Sequence, residues 1–245
     1  MSDLFLTASV AAAAALYASV GHGGASAYIA LLTLAGRLRP EVAATILLMN
    51  IFVSSMAWFR FRQSGYFDAP LAGTLLLFSA PAAFVGGMIA TSARVFTFLV
   101  GCALVLAALR LILPDPRAHE PQRPKGAALW TTSATIGIAL GLLAGLTGVG
   151  GGIYLSPLLI FLGWKDAKGT AGISAAFIAV NSLTGLCGRL ARGDAIDASL
   201  LPLVMAALAG GFLGAWWGAK HATPAAVRRL LGVVLVIAGL KLLLE

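Results

Sequence analysis

The chain has 245 residues, of which 60% are hydrophobic and only 11% carry a formal charge, and its mean hydropathy is +0.94. A water-soluble protein needs more polar surface than this composition supplies. The formal net charge of +8 comes from Lys and Arg scattered between apolar runs, as in the loops of membrane proteins, so it does not indicate nucleic-acid binding. The composition predicts an all-α polytopic membrane protein.

Uncharged apolar runs recur along the whole chain and predict the membrane helices. A helix needs about 20 apolar residues to cross a bilayer core of roughly 30 Å, and several runs reach that length. In chain order the runs are 4–36, 42–59, 69–93, 95–109, 126–164, 169–188, 198–219 and 230–240. Asp3 precedes the first run without any basic residue, so we expect this segment to be retained and not cleaved as a signal peptide.

A polar, proline-rich linker (114–126) divides the chain into two similar halves, which we predict to be membrane repeats (1–113 and 127–245). The motifs that pair across the halves, about 130 residues apart, are GHGGASAY with GVGGGIYL (21–28 and 148–155), MNIFVSS with VNSLTGL (49–55 and 180–186), GYFDAPL with GDAIDASL (65–71 and 193–200), and FVGG with FLGA (84–87 and 212–215). Duplicated membrane halves with substrate held between them are typical of secondary transporters.

The stretch GLTGVGGGIYLSP (145–157) places five glycines and a proline inside a long uncharged run. Unpaired backbone groups are costly in hydrocarbon, so a break here must be buried in protein or line a watery cavity. After Gly152 about 11 apolar residues precede Lys165, enough for half a bilayer. A re-entrant hairpin and a single broken crossing both fit. The positive-inside rule favours the hairpin, because it gathers most Lys and Arg on one face, and it then predicts inverted repeats.

The glycine turns are the predicted substrate site. Free N–H groups there, together with the positive end of the helix that follows, suit a small anion. The predicted contacts are Gly150, Gly151 and Gly152 in the second half and Gly23 and Gly24 in the first. The alternative is close helix packing, which alone explains three other glycines spaced four residues apart, Gly137, Gly141 and Gly145.

Polar side chains inside apolar runs are further candidates for this site. His22 either binds the anion, carries a coupled proton or is held by a backbone carbonyl. Asn50 and Asn181 occupy matching positions, where they either satisfy freed backbone groups or touch substrate, and Ser174 lies nearby. Arg189 follows the apolar run of its helix and either extends to the lipid headgroups or serves as a gate or anion funnel.

Motifs for catalysis are missing from the sequence. It has no Walker A sequence and no nucleophile–base pattern, and its two cysteines match no metal-ligand spacing. We therefore predict no enzyme, no cofactor and no metal site.

Three stretches together resemble one family of membrane proteins. These are GLLAGLTGVGGGIYLSPLLIFLGW (141–164), GISAAFIAVNSLTG (172–185) and GGFLGAWWGA (210–219), which are similar to the TauE/SafE family of sulfite and organosulfonate exporters. The resemblance implies transport of small sulfur-containing anions across the cytoplasmic membrane, driven by an ion gradient. By motif match it assigns roles to Gly148, Gly150, Gly151, Gly152, Pro157 and Ser174. The first half departs from the pattern, since GHGGASAY replaces the fuller glycine run and Ile29 stands where a proline would match Pro157.

These observations predict a secondary transporter, an exporter of sulfite or an organosulfonate working by alternating access. The anion would lie near the bilayer midplane between the two glycine-rich breaks. A passive anion channel and a carboxylate transporter are the alternatives. The expected partners are the small anion, a coupling ion (H⁺ or Na⁺) and the lipid bilayer; the sequence is also compatible with a homo-oligomer.

Overall fold

The computed structural model describes residues 2–90 and 124–221, together with the separate positions 92, 94–96, 98–99, 101–102, 105, 236, 240 and 243. Within these residues the chain is helical and has no strand. The helices are α1 (Asp3–Ser19), α2 (Ala25–Leu34), α3 (Ala43–Gln63), α4 (Ala69–Met88), α5 (Gly126–Thr147), α6 (Gly152–Phe161), α7 (Ala167–Ala191) and α8 (Leu201–His221). The predicted linker lies outside the described residues apart from its last three, as do most of the runs 95–109 and 230–240.

Five of these helical segments are long and apolar enough to cross a membrane. They are Pro40–Gln63, Ala69–Met88, Gly126–Thr147, Lys168–Ala191 and Ala198–Trp217, while α1 and α2 are apolar but shorter. Large apolar side chains such as Leu77, Met205 and Leu213 point outward and are more than half exposed. An apolar exterior of this kind suits lipid and not water. The prediction of an all-α, multi-pass membrane protein is confirmed.

Aspartates begin several of the helices. Asp68 accepts a hydrogen bond from Leu71 N (3.1 Å) at the start of α4, and Asp166 accepts one from Gly169 N (3.0 Å) at the start of α7. Asp197 likewise accepts from Ser199 N (2.9 Å) in the 3-10 turn before α8. A side-chain acceptor here satisfies N–H groups that have no partner within the helix.

Helices α3 and α7 lie side by side and run in opposite directions. Arg189, near the end of α7, donates to the carbonyl oxygen of Pro40, just before α3 (3.4 Å). Lys168, at the start of α7, lies 3.2 Å from the hydroxyl of Tyr66, just after α3. These contacts mark the two ends of the molecule, which we call the Arg189 end and the Lys168 end.

Short glycine-containing turns separate α1 from α2 and α5 from α6, and each pair returns to the end where it began. Asp3, which opens α1, forms an ion pair with Arg37, which follows α2 (2.6 Å). Lys165, which follows α6, forms an ion pair with Asp68 at the start of α4 (3.0 Å). Helix α5 runs parallel to α4, because successive glycines along α5 approach successive residues along α4. The α5–α6 pair therefore starts and finishes at the Lys168 end.

The predicted packing role of the glycines in α5 is confirmed. A β-carbon added at Gly137 would lie 2.8 Å from the carbonyl oxygen of Leu75, and one at Gly141 or Gly145 would collide with the backbone of α4. Only a residue without a side chain permits helix backbones to come this close.

Each half contributes a helix to the core of the other half. One apolar cluster joins α1, α2 and α3 to α8 through residues such as Leu6, Ile46 and Val204. The second joins α6 and α7 to α4 through residues such as Leu159, Phe177 and Leu75. Because α4 and α8 are exchanged in this way, the halves interlock and hold the two turns against each other.

Candidate functional site

The second glycine turn lies between α5 and α6 and is buried. Gly148, Gly150 and Gly151 have φ values of +73°, +78° and +79°, which side chains other than glycine rarely adopt. The backbone therefore leaves the helix after Thr147 and re-enters one at Gly152. All five residues from Gly148 to Gly152 are buried, so the turn does not face lipid.

The first turn lies between α1 and α2 and has its own hydrogen bonds. Gly21 and Gly24 take positive φ values, and α2 begins directly after Gly24. The hydroxyl of Tyr28, from the first turn of α2, donates to the carbonyl oxygen of Gly23 (2.9 Å). This hydrogen bond therefore links α2 back to the turn that precedes it.

Asn50 of α3 joins the two turns. Its Oδ1 accepts a hydrogen bond from Ala25 N at the start of α2 (3.1 Å), and its Nδ2 donates to the carbonyl oxygen of Val149 in the second turn (3.1 Å). A β-carbon at Gly23 would collide with the Asn50 amide, and one at Gly150 would lie 2.8 Å from Nδ2. The structure therefore brings Asn50 together with both predicted turns, and its contacts are to backbone groups.

The turns also pack on the opposite halves in matching ways. A β-carbon at Gly21 would lie 2.7 Å from that of Ala171 in α7, and one at Gly148 would lie 3.0 Å from that of Ala43 in α3. Ala43 and Ala171 occupy corresponding places near the starts of α3 and α7. Each turn therefore contacts a helix of the other half of the chain, as expected if both turns border one site.

Asn181 of α7 has a different environment from Asn50. Its side chain is fully buried, and neither Oδ1 nor Nδ2 has a hydrogen-bond partner among the described residues. The adjacent Ser182 hydroxyl is also buried and unpaired, and lies 2.6 Å from where a β-carbon at Gly150 would stand. Leaving buried polar groups unpaired costs about 1–3 kcal/mol each, so such groups point to a missing partner.

His22 contacts the second half through two serines. Its Nδ1 lies 3.1 Å from the carbonyl oxygen of Val20, and its Nε2 lies 2.9 Å from the hydroxyl of Ser156 in α6. The Ser156 and Ser174 hydroxyl oxygens are 2.7 Å apart. The predicted residues His22 and Ser174 are thus connected, through a serine that sequence reasoning did not select. Ser156 lies in the quoted glycine motif, but a single serine in an apolar helix gives no pattern signal.

Arg189 is only 1% exposed and lies away from the turn tips. Its guanidinium donates to the carbonyl oxygens of Gly145 (3.3 Å) and Leu146 (2.6 Å) in the last turn of α5, and to Asp194 (3.3 Å). A cation here satisfies end carbonyls and interacts favourably with the helix dipole. The described contacts hold the base of the second turn; substrate contact by Arg189 stays a prediction.

Asp194 completes this cluster outside the membrane helices. It bonds Arg192 (2.6 and 2.9 Å) as well as Arg189. Burial by itself would raise the pKa of the Asp194 carboxyl, but the hydrogen bonds and charges of Arg192 and Arg189 lower it below its ordinary value. Asp194 is therefore an anion at neutral pH and balances part of the charge of the two arginines.

A polar centre thus lies between two interlocked halves, near the middle of membrane-length helices. It contains the start of α2, the second glycine turn and the Asn50 amide that bonds both, together with the hydroxyl groups of Ser156 and Ser174 next to His22. These features define a polytopic membrane protein of the transporter class.

Comparison with known proteins identifies the family. Residues 6–242 match the family described as Sulfite exporter TauE/SafE, and the chain belongs to this family. It is 32% identical over 232 residues to "Probable membrane transporter protein y4hK" of Sinorhizobium fredii, covering 93% of this chain and 92% of that protein. It is 28% identical to "Probable membrane transporter protein YunE" of Bacillus subtilis, covering 84% and 82%.

A third relative differs in length. The chain is 33% identical over 112 residues to "Sodium/sulfate cotransporter 1" of Chlamydomonas reinhardtii, which covers 46% of this chain and 12% of that protein. No solved structure matches the chain significantly. The predicted family and the multi-pass membrane location are confirmed, and the relatives carry the names of transporters and not of enzymes.

Proposed function

We propose that this protein is a secondary transporter that exports a small sulfur-containing oxyanion, sulfite or an organosulfonate, by alternating access. The anion would bind near the bilayer midplane, between the turns that precede α2 and α6. The family name supports the substrate class, and the relatives' names support transport.

One observation carries this proposal: the side chains of Asn181 and Ser182 in α7 are buried without a hydrogen-bond partner among the described residues, and Ser182 lies beside Gly150 of the second glycine turn. In the first half the matching amide already satisfies the N-terminus of α2. In the second half no such bond from Asn181 reaches the start of α6, whose N–H groups carry partial positive charge. Amide, hydroxyl and backbone N–H groups that converge on one place can together hold the oxygens of an anion.

The proposal includes two inverted repeats with re-entrant hairpins. The antiparallel α3 and α7 support it, as do the ion pairs that bring α2 and α6 back to the ends where α1 and α5 begin. In such a design one hairpin enters from each face of the membrane and both reach the same central site.

Counterflow in proteoliposomes tests transport. Vesicles preloaded with unlabelled sulfite should take up radiolabelled sulfite faster than empty vesicles, because a carrier exchanges its substrate. Uptake without such stimulation would instead identify a passive channel. Methanesulfonate, sulfate and acetate as competitors separate sulfonate, sulfate and carboxylate specificity; sulfate is included because one relative is named a sodium/sulfate cotransporter.

Cysteine labelling tests the inverted repeats. In a background with Cys102 and Cys187 replaced by serine, Glu41→Cys and Lys168→Cys each place a thiol at an exposed position beside α3 or in α7. A membrane-impermeant maleimide should label the two variants from opposite faces. Labelling of both from one face would exclude the inverted arrangement.

A further inference from the structure

The contacts of His22 form a hydrogen-bond chain that joins the two halves. The chain runs from the carbonyl oxygen of Val20 through the imidazole to Ser156 on α6 and Ser174 on α7, with successive distances of 3.1, 2.9 and 2.7 Å. Both serines are buried. The imidazole belongs to the first turn. It is linked to α6 directly through Ser156 and to α7 through Ser156 and Ser174.

The carbonyl of Val20 fixes the direction of this chain. A carbonyl oxygen only accepts, so the bond at Nδ1 requires a hydrogen on Nδ1. Neutral imidazole has a single N–H, so Nε2 must then accept, and its donor is the hydroxyl of Ser156. Because the Ser156 hydrogen is used in this way, Ser174 must donate to Ser156. In the neutral state both hydroxyl hydrogens therefore point toward His22.

Protonation reverses the chain. The imidazolium carries a hydrogen on both nitrogens, so Nε2 now donates and Ser156 Oγ must accept. The Ser156 hydrogen turns toward Ser174, and the Ser174 hydrogen is released to point elsewhere. The carbonyl oxygen of Ser174 lies 3.4 Å from where a β-carbon at Gly152 would stand, so Ser174 borders the start of α6.

We propose that His22 binds the proton coupled to anion transport, and that the reversed His22–Ser156–Ser174 chain presents the Ser174 hydroxyl hydrogen to the anion. This inference rests on the proposed function and specifies its coupling ion. One proton adds to Nε2 and two hydroxyl groups rotate, with no bond between heavy atoms formed or broken. Coupling is reciprocal, so the proton tightens anion binding and the anion raises the proton affinity of His22.

The helices near the first turn carry other ionisable groups, which are phenols and a lysine. Tyr17 of α1 lies edge-on, with ring centroids 6.3 Å apart, and its hydroxyl accepts from Ser26. Tyr28 of α2 donates to Gly23, Tyr154 of α6 interacts with Thr147, and Lys168 of α7 bonds Tyr66. Phenols and lysines ordinarily titrate near about pH 10, whereas histidine titrates near about 6.5, so uptake near neutral pH is assigned to His22.

The test is equilibrium binding measured by calorimetry on the purified, full-length protein. Methanesulfonate and sulfate are the probes, because their own charge is constant between about pH 5 and pH 8, the range in which histidine titrates. Repeating the titration in buffers of different ionisation enthalpy counts the protons taken up per anion. The wild type should bind roughly tenfold more tightly at the acidic end, the size of one charge-assisted hydrogen bond.

Three variants locate the effect. His22→Gln should abolish both proton uptake and the pH dependence of the affinity. Ser156→Ala should abolish the pH dependence of the affinity even though His22 remains, because the chain is interrupted. Ser133→Ala is the matched control, since it also removes a buried hydroxyl, one that bonds Thr74 in α4, and it should keep the wild-type pH profile.

The outcomes separate this inference from the proposed function. Binding whose pH dependence survives His22→Gln or Ser156→Ala would overturn the coupling inference and leave the anion site intact. Binding that depends on Na⁺ and not on pH would do the same. No binding of either probe at any pH would overturn the anion site itself, and the coupling inference with it. A thermal melt of each variant confirms that it is folded.

Discussion

The two glycine turns occupy matching places in the two predicted repeats but are held in different ways. The first turn is fixed at its tip, because Asn50 bonds the start of α2 and Tyr28 bonds Gly23. The second is fixed at one point by the same Asn50 and at its base by Arg189, which binds the last carbonyls of α5. Its own amide, Asn181, makes no bond within the described residues.

Asn50 and Asn181, at matching positions of the predicted repeats, therefore differ in their contacts. The Asn50 amide forms hydrogen bonds with backbone groups of both turns. In two symmetric halves, Asn50 and Asn181 would share these bonds. The side-chain amide of Asn181 and the hydroxyl of Ser182 have no partner among the described residues, and under the proposed function we expect them to bind the anion. A transporter needs both properties, since a fixed frame positions the groups that bind only transiently.

The strongest test of the comparison is Asn50→Ala. It leaves Ala25 N–H and the carbonyl oxygen of Val149 buried without a partner, and each such group costs about 1–3 kcal/mol. We therefore expect the free energy of unfolding, measured by denaturant titration in mixed micelles, to fall by roughly 2–5 kcal/mol. A wild-type unfolding midpoint in this variant would show that Asn50 does not clamp the turns.

Gly150→Ala should have the next largest effect. A side chain there meets a left-handed backbone, which costs about 1–2 kcal/mol, and crowds Ser182 and Asn50. Counterflow should be lost. Gly163→Ala is the control, since Gly163 also has a positive φ (+65°) but, among the described residues, no atom within 4 Å of an added β-carbon. Gly163→Ala should lose stability only through its left-handed backbone and should keep transport. If both variants show the same counterflow activity, the second glycine turn has no role in transport.

Asn181→Ala sharpens the contrast with Asn50. Removing an amide that has no partner in the described part of the chain should change the free energy of unfolding by less than about 1 kcal/mol, or raise it. Anion affinity, measured by calorimetry, should fall by about tenfold, as expected for loss of a hydrogen bond to a charged group. A loss of stability as large as that of Asn50→Ala, with affinity unchanged, would show that the two amides are equivalent after all.

The smallest expected effect is on the pH dependence of thermal stability, through Asp194 at the base of the second turn. The pKa of Asp194 is lowered in the folded protein, so its contribution to stability is present above the ordinary carboxyl value and is lost as pH falls through the lowered pKa. We expect wild-type melting temperatures to decline below about pH 4, and Asp194→Asn to show a shallower acid decline. An unchanged decline would assign the acid sensitivity to other carboxylates. Glu41→Gln, at an exposed position, is the control.

Several parts of the site could be predicted because their signals are local. Consecutive glycines in an apolar run predict a break, and Asn50 and Asn181 stand out because an amide in a membrane helix needs a partner. Ser156 could not be found, because a lone hydroxyl can also bond its own helix. Arg189 could not be assigned, because a basic residue after an apolar run has the same local sequence whether it extends to lipid or folds back onto α5.

By itself the sequence determined the solvent and the helical class, because these depend on composition. It also predicted the glycine turns at 21–24 and 148–151, because these depend on the backbone freedom of single residues; the duplication stays a prediction. Only the tertiary structure decided that α8 packs with α1, α2 and α3 while α4 packs with α6 and α7, that Asn50 bonds both turns, and that Asn181 has no side-chain partner among the described residues. Those outcomes depend on which helices come into contact. Hydrogen bonds between residues 99 positions apart, such as Asn50 to Val149, exist only once the helices have packed.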